Sequence, residues 1–300
     1  MNTTLKAALA ALLAAGATTA VTLPAHAQVG DQNTTVTGNA VYVQEEDADL
    51  PIVGHNGQTI NGAVGLPLNP TAQTPAKGAV RVQANYYQLW RDSAAGISSR
   101  SNIYGIYAVG GVTDRLEVSA GLEKNDTNSE ASVIENLLDK SGVALGVKYL
   151  VGKQNNPEDV RFAVGAGYSR ALYKNKHVYG VASKAFGTGK RVITGHLGVR
   201  WDKFSVSDSG IATVDDTSSK FSAFAGAEVP IDSRGRFTLV GELGTKNADD
   251  DFGGASPYSL SVRYQSDNGF SASVGVMRQG VLSDFVDKDR GLFAQVGKTF

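Results

Sequence analysis

The chain of 300 residues contains no cysteine, which excludes disulfide staples and thiolate metal sites. It also excludes the small secreted scaffolds that depend on disulfides for a core. Beyond the first 27 residues it lacks any run approaching the roughly 20 consecutive apolar residues of a membrane-spanning helix. Charge of one sign is missing as well: 28 Lys and Arg stand against 29 Asp and Glu, a formal net charge of −1. With no basic block or stripe, nucleic acid is not expected as a partner. The charged fraction of 19% looks like that of a soluble protein, but it does not exclude a membrane barrel, because alternating strands average to neutral hydropathy.

Glycine is the residue in excess, 35 in all, against a usual share of about 7%, and without a collagen-like period. The N-terminus reads as a secretory leader: Lys6, then the Ala- and Leu-rich run Ala7 to Val21, then Pro24 before the small-x-small site Ala25-His26-Ala27. Cleavage there leaves Gln28 as the first mature residue. Residues 28–77 hold Pro51, Pro67, Pro70 and Pro75, the acidic cluster Glu45-Glu46-Asp47, and one short strand candidate, Thr34 to Val43. They are expected to form a periplasmic segment or a plug in a lumen.

From Gly78 the chain becomes a succession of alternating segments. Leu116, Val118, Ala120 and Leu122 face one way and Glu117, Ser119, Gly121 and Glu123 the other. The same pattern recurs from Gly78 to Phe300, including Lys176 to Phe186, where Tyr179, Val181 and Ala185 read as the apolar face against Gly180, Ala182 and Lys184. About twelve strands result, most near the 9–11 residues of a tilted membrane strand. Counted back from Phe300, every second connection is short and turn-forming, such as Ser266-Asp-Asn-Gly269. The intervening ones are mostly long and polar, such as Asp202 to Ser219. The apolar face carries Trp90, Tyr168, Tyr179, Trp201, Phe221 and Tyr258 at one end and Tyr149, Phe162, Phe237, Tyr264, Phe270 and Phe300 at the other, with aliphatic residues between. Two aromatic girdles around an aliphatic band suit a bilayer, so the fold expected is all-β: a transmembrane up-and-down antiparallel β-barrel over 78–300. The large residues are expected to face lipid and the Gly- and Ser-rich face the lumen.

The last ten residues end in a strand with Leu292, Val296 and Phe300 on its apolar face. This resembles the C-terminal assembly signal of bacterial outer-membrane β-barrels, and the resemblance implies outer-membrane lipid and the barrel assembly machinery as partners. Gly62-Ala-Val-Gly-Leu-Pro-Leu-Asn-Pro-Thr-Ala72, followed by Lys77-Gly-Ala-Val-Arg-Val-Gln-Ala-Asn85, resembles the motif that leads into the first strand in the YjbH-like outer-membrane barrels associated with exopolysaccharide loci. That similarity implies an envelope role near polysaccharide export and carries over no catalytic residue.

The polar face supplies Arg81, Lys148, Arg161, Lys184, Arg200 and Arg263 against Glu117, Glu123, Glu228 and Glu242, with His196 among them. Mixed charges inside a barrel either orient solutes or pair off across the bore. A passive small-solute pore or export-associated channel is therefore the first functional expectation, with small solutes or polysaccharide as cargo. A non-conducting structural or surface-binding barrel is the second. A barrel hydrolase needs Ser and His together on one face. His196 points inward with Arg200, and His177 has no evident Ser partner, so no enzyme, catalytic residue or cofactor is expected. Asp249-Asp-Asp251 beside Gly253-Gly254 is oxygen-rich, but its spacing fits no cation loop, and no metal site is expected.

Overall fold

The structure, a computed structural model, describes residues 35–37, 40–42, 57–92, 98–129, 141–151, 159–170, 174–186, 192–206, 216–232, 235–246, 255–280 and 288–300. The predicted leader, most of 28–56 and the Asp249–Asp251 loop lie outside them.

Two short strands, β1 (Thr35–Thr37) and β2 (Ala40–Tyr42), pair with each other. The remaining twelve are β3 (Val80–Asp92), β4 (Ser98–Gly111), β5 (Leu116–Ser129), β6 (Ser141–Val151), β7 (Arg161–Arg170), β8 (Lys174–Phe186), β9 (Ile193–Val206), β10 (Asp216–Pro230), β11 (Phe237–Gly244), β12 (Tyr258–Gln265), β13 (Phe270–Arg278) and β14 (Lys288–Thr299). Each pairs antiparallel with its sequence neighbours, and β14 closes on β3, so the sheet is one closed barrel. The seam is complete to the last residue: Phe300 N donates to Val80 O (2.8 Å) and Val80 N to Phe300 O (3.2 Å). Closure removes the open edges that would otherwise invite strand addition. The all-β up-and-down barrel of twelve strands expected from alternation is thus the architecture.

Alternation works because one side of every strand meets the barrel interior and the other meets the surroundings. Leu122, Leu145, Leu197, Val199, Leu243 and Val274 all project outward, and Phe221, at 77% exposure, is the most open large apolar residue among the described residues. Large exposed apolar patches of this kind mark a surface that contacts a membrane or another protein.

Three expectations need correction. The facing of β8 is reversed: Asn175, His177, Tyr179, Val181 and Ser183 are buried inside, whereas Lys184 is exposed on the outer wall with its Nζ 5.5 Å from the centre of the Phe186 ring. Lys184 therefore does not line the lumen, and Tyr179 does not belong to an outer girdle. The interior is also less uniformly small than expected, since Tyr87, Leu89, Ile103, Tyr107, Phe224, Met277 and Phe293 face inward. Finally, β5, β9 and β10 continue beyond the apolar band into stretches whose Asn, Ser and Thr content reads as loop.

The inward rings explain part of the glycine excess. Tyr107 lies flat over Gly121, its cross-strand partner, and over Gly105 on its own strand, and a Cβ at either position would strike the ring. Gly62, with φ +94°, closes the turn in which its N–H donates to Thr59 O (3.0 Å), and it meets the same ring. The glycines thus seat aromatic side chains against the wall as well as relieve curvature.

Candidate luminal site

Residues 57–77 enter the barrel, buried or half-buried as far as Ala76, with Lys77 exposed where the segment leads out to β3. Their main chain bonds to inward side chains of β3, β5, β6, β8, β11 and β14. β5 and β11 stand six places apart in a ring of twelve, so only an interior position reaches both. Val64, Leu66, Thr71 and Ala72 are wholly buried there. Ile60 and Leu68 pack with Tyr87, Leu89, Ile103, Met277 and Phe293, while Ala72 packs with Ala163, Tyr179, Val181 and Phe224.

The contacts between this luminal segment and the wall are polar and specific. Glu117 and Lys148, directly opposite each other on β5 and β6, pair at 2.8 Å. Glu117 Oε1 accepts from Val64 N (2.9 Å), and Lys148 Nζ donates to Val64 O (2.9 Å). One ion pair thereby meets both main-chain groups of a buried residue outside the barrel sheet, whose carbonyl also accepts from Thr71 N (3.3 Å).

Glu242, on β11, forms the second grip. Its carboxylate accepts from Leu68 N (2.6 Å), Asn69 N (3.0 Å), Asn69 Nδ2 (3.0 Å) and Ser259 Oγ (2.6 Å). The segment is shaped for this by a turn in which Leu66 N donates to Asn69 O (2.9 Å), which aims consecutive amides at one carboxylate.

The third grip is a relay. Ala72 N donates to Ser183 Oγ (2.9 Å), Ser183 Oγ lies 2.8 Å from His196 Nδ1, and His196 Nε2 lies 3.2 Å from Glu228 Oε1. Glu228 also pairs with Arg263. An ionised Glu228 accepts only, so Nε2 donates to it, and in a neutral ring Nδ1 then accepts from the Ser183 hydroxyl. Ser, His and Glu in sequence resemble a hydrolytic triad, but Ser183 is 2% exposed and its oxygen is capped by the Ala72 amide. With Ala72 in place the arrangement serves as a clasp. Gln58 O, which accepts from Gln83 Nε2 (3.3 Å) and Gln295 Nε2 (3.2 Å), supplies a fourth contact.

Of the residues expected in the lumen, Arg81, Glu117, Lys148, Arg161, His196, Arg200, Glu228, Glu242 and Arg263 are buried and Glu123 is half-buried on the same face of β5. Lys184 alone points out. Arg200 pairs at 2.6 Å with Asp202, which also accepts from Asn175 Nδ2 (3.0 Å). Sequence reasoning missed Ser183, Asp202, Ser259 and the two glutamines. Ser183 was hidden by the reversed facing of β8, and with the right phase it falls on the face of His196. Leu292, Val296 and Phe300 share the outer face of the closing strand. No group of metal-ligating side chains of sufficient size occurs among the described residues.

No protein-family model matches the chain, and no curated protein matches it. The YjbH-like resemblance thus rests on its motif alone. Solved structures do match in shape. The COG4313 outer membrane channel from Pseudomonas putida F1 superposes with a TM-score of 0.52 at 14% identity, over 75% of this chain and 96% of that one. A KdgM porin gives 0.44 at 10% identity over 73% and 99%, and Omp33 from Acinetobacter baumannii 0.35 at 10% over 75% and 99%. At these identities the likeness is one of fold.

Proposed function

We propose that the chain is an outer-membrane channel of the β-barrel type whose bore is closed by its own residues 57–77, acting as a plug. The observation that carries the reading is the set of charged wall residues gripping the plug's main chain, above all Glu242 on Leu68 and Asn69. A barrel made solely as a structural wall has no need of a separately gripped segment. Fixed buried side chains meet the main-chain groups of an irregular stretch that is not a strand of the wall, and a segment held in this way can leave with the barrel's own ladder intact. The apolar exterior supports a bilayer location, and export through a leader cleaved before Gln28 fits an envelope protein. Leu292, Val296 and Phe300 would present the closing strand to the assembly machinery. Cargo in this reading is a small polar solute or a saccharide, admitted when the plug moves; association with exopolysaccharide export rests on the motif of residues 62–85.

A second reading, a non-conducting barrel, is favoured by one observation: the plug packs into two apolar clusters as well as into polar grips. Planar-bilayer recordings of the intact chain and of a chain lacking residues 57–77 separate the two. Rare or small openings that become large and steady on deletion support the channel. A deleted chain that inserts as a heat-modifiable barrel and stays electrically silent overturns it.

A further inference from the structure

The outer wall of β7, β8 and β9 carries four cations near the strand ends that lie away from Phe300. Arg170, Lys176 and Lys203 are exposed and Lys174 is half-buried, while their strand neighbours Ser169, Asn175, His177, Asp202 and Phe204 are buried inside. Register sets these cations against one another. Arg170 is the cross-strand partner of Lys174, and Lys176 is that of Lys203. Like charges directly opposite across a ladder destabilise it. No carboxylate among the described residues pairs with any of the four side chains. Along the same two rows stand Val143, Ser205 and Thr217 in one and Leu145, Tyr168 and Ser219 in the other, and none of these is acidic.

The next row toward the barrel's middle is apolar. Ala166, Val178, Trp201 and Phe221 are successive cross-strand partners there, and Val178 and Phe221 are exposed. An open groove beside them is lined by Leu197, Phe221, Ala225 and Leu243, with Lys220 and Lys246 toward the strand ends. Cations standing directly beyond exposed aliphatic and aromatic side chains fit a molecule with an anionic head and an apolar tail. A soluble anion would leave the apolar row uncovered. Tyr168 and Trp201 lie at the junction of the two zones, and amphipathic rings settle at headgroup level. The opposite ends of these strands differ: their outer wall carries Phe162, Phe186 and Ile193, with Lys184 as the cation among the described residues.

We infer that this patch is a docking site for a phosphorylated glycolipid of the outer leaflet, its phosphate groups held by Arg170, Lys174, Lys176 and Lys203 and an acyl chain laid over Trp201 and Phe221. The inference rests on the outer-membrane location proposed above and is independent of any movement of the plug. Guanidinium and ammonium groups meet phosphate through charge-assisted hydrogen bonds, and the anion relieves the two facing like-charge pairs.

The test uses the full barrel in detergent micelles with diphosphorylated lipid A as the probe. The chain has 2 tryptophans, so Trp90→Phe leaves Trp201 as the sole reporter at the patch. Its emission is expected to shift saturably with the lipid, and native mass spectrometry to show the lipid bound. Dephosphorylated lipid A binds at least about tenfold more weakly, and inorganic phosphate leaves the emission unchanged. Lys176→Gln with Lys203→Gln weakens binding about 25-fold, roughly fivefold for each cation removed near an anionic lipid. Lys184→Gln, at the other end of β8, leaves binding as it was. Without lipid the double variant melts no lower than wild type, because a repulsive pair is gone. Lipid binding indifferent to phosphorylation, or unchanged in the double variant, overturns the inference. So does inorganic phosphate that reproduces the whole response. Any of these in a barrel that inserts into vesicles and shifts in mobility on boiling defeats the inference alone. A chain that fails to insert defeats the outer-membrane reading with it.

Discussion

Glu242→Ala is the most informative single change. The carboxylate receives three hydrogen bonds from the plug, two from consecutive main-chain amides and one from the Asn69 side chain. A hydrogen bond to a charged group contributes about 1.5–3 kcal/mol. The three share one acceptor and are not additive, so about 3 kcal/mol is a conservative loss on truncation. With the plug displaced the lumen is wet and the same amides bond to water, so the loss falls on the closed state alone. Since about 1.4 kcal/mol is tenfold in an equilibrium, the ratio of open to closed molecules rises roughly 150-fold. Glu242→Gln keeps one carbonyl acceptor and no charge, and falls between. Channel openings counted in planar bilayers report the ratio directly, with the mobility shift on boiling as a check that the barrel has formed. An Glu242→Ala barrel that folds normally and opens no more often than wild type refutes the assignment of residues 57–77 as a gate held by this carboxylate.

Other predictions use the same contacts. Because the chain has no native cysteine, Ala72→Cys with Ser183→Cys places the sole pair of thiols at the contact in which Ala72 N donates to Ser183 Oγ (2.9 Å). Oxidation is expected to suppress openings and dithiothreitol to restore them; conduction indifferent to oxidation would place the path elsewhere. Lys148→Ala leaves Glu117 buried without its partner and is expected to cost about 3–5 kcal/mol in urea unfolding from lipid vesicles, while Lys184→Ala, on the outer wall, leaves stability unchanged. Equal effects of the two would reverse the facing of β8. Tyr107→Ala exposes the bare backbone of Gly105 and Gly121 and removes a wholly buried ring, for a loss of about 3–5 kcal/mol in the same assay. A loss under 1 kcal/mol would mean that the ring does not brace the wall.

The barrel is legible in the sequence because the surroundings impose one rule on every strand: Leu116, Val118, Ala120 and Leu122 must be apolar if they face lipid, and Glu117 and Ser119 are free to be polar because they do not. β8 breaks the inference without breaking the rule. Its outward residues Gly180 and Ala182 are small and its inward Tyr179 and Val181 are large, so apolar bulk points to the wrong face. What settles the facing is a neighbour: Tyr179 packs over Gly165, its cross-strand partner on β7, and pairing across strands is invisible in one chain's alternation. The luminal segment has no period at all. Its position depends on single contacts such as Leu68 with Glu242, 174 residues apart, and Pro67, Pro70 and Pro75 signal only that it joins no sheet. Mixed lumen charges were readable as a set; which of them hold one another and which hold the plug was not.

That division decides how the plug leaves. When Val64 departs, Glu117 and Lys148 keep each other at 2.8 Å, and the wall retains a satisfied pair. When Ala72 departs, the chain from Ser183 through His196 to Glu228 and Arg263 also stays intact. Glu242 differs. Its remaining wall partner is the Ser259 hydroxyl, so its charge has to be met by incoming water. The closed state therefore owes more to Glu242 than to grips that are equally close in distance. Ser183→Ala removes an acceptor from Ala72 and should raise openings by no more than about tenfold, one neutral hydrogen bond, against the far larger rise for Glu242→Ala. Matching effects in the two variants would mean that the plug is held by its packing against Tyr87, Phe293 and Phe224, with the polar grips incidental.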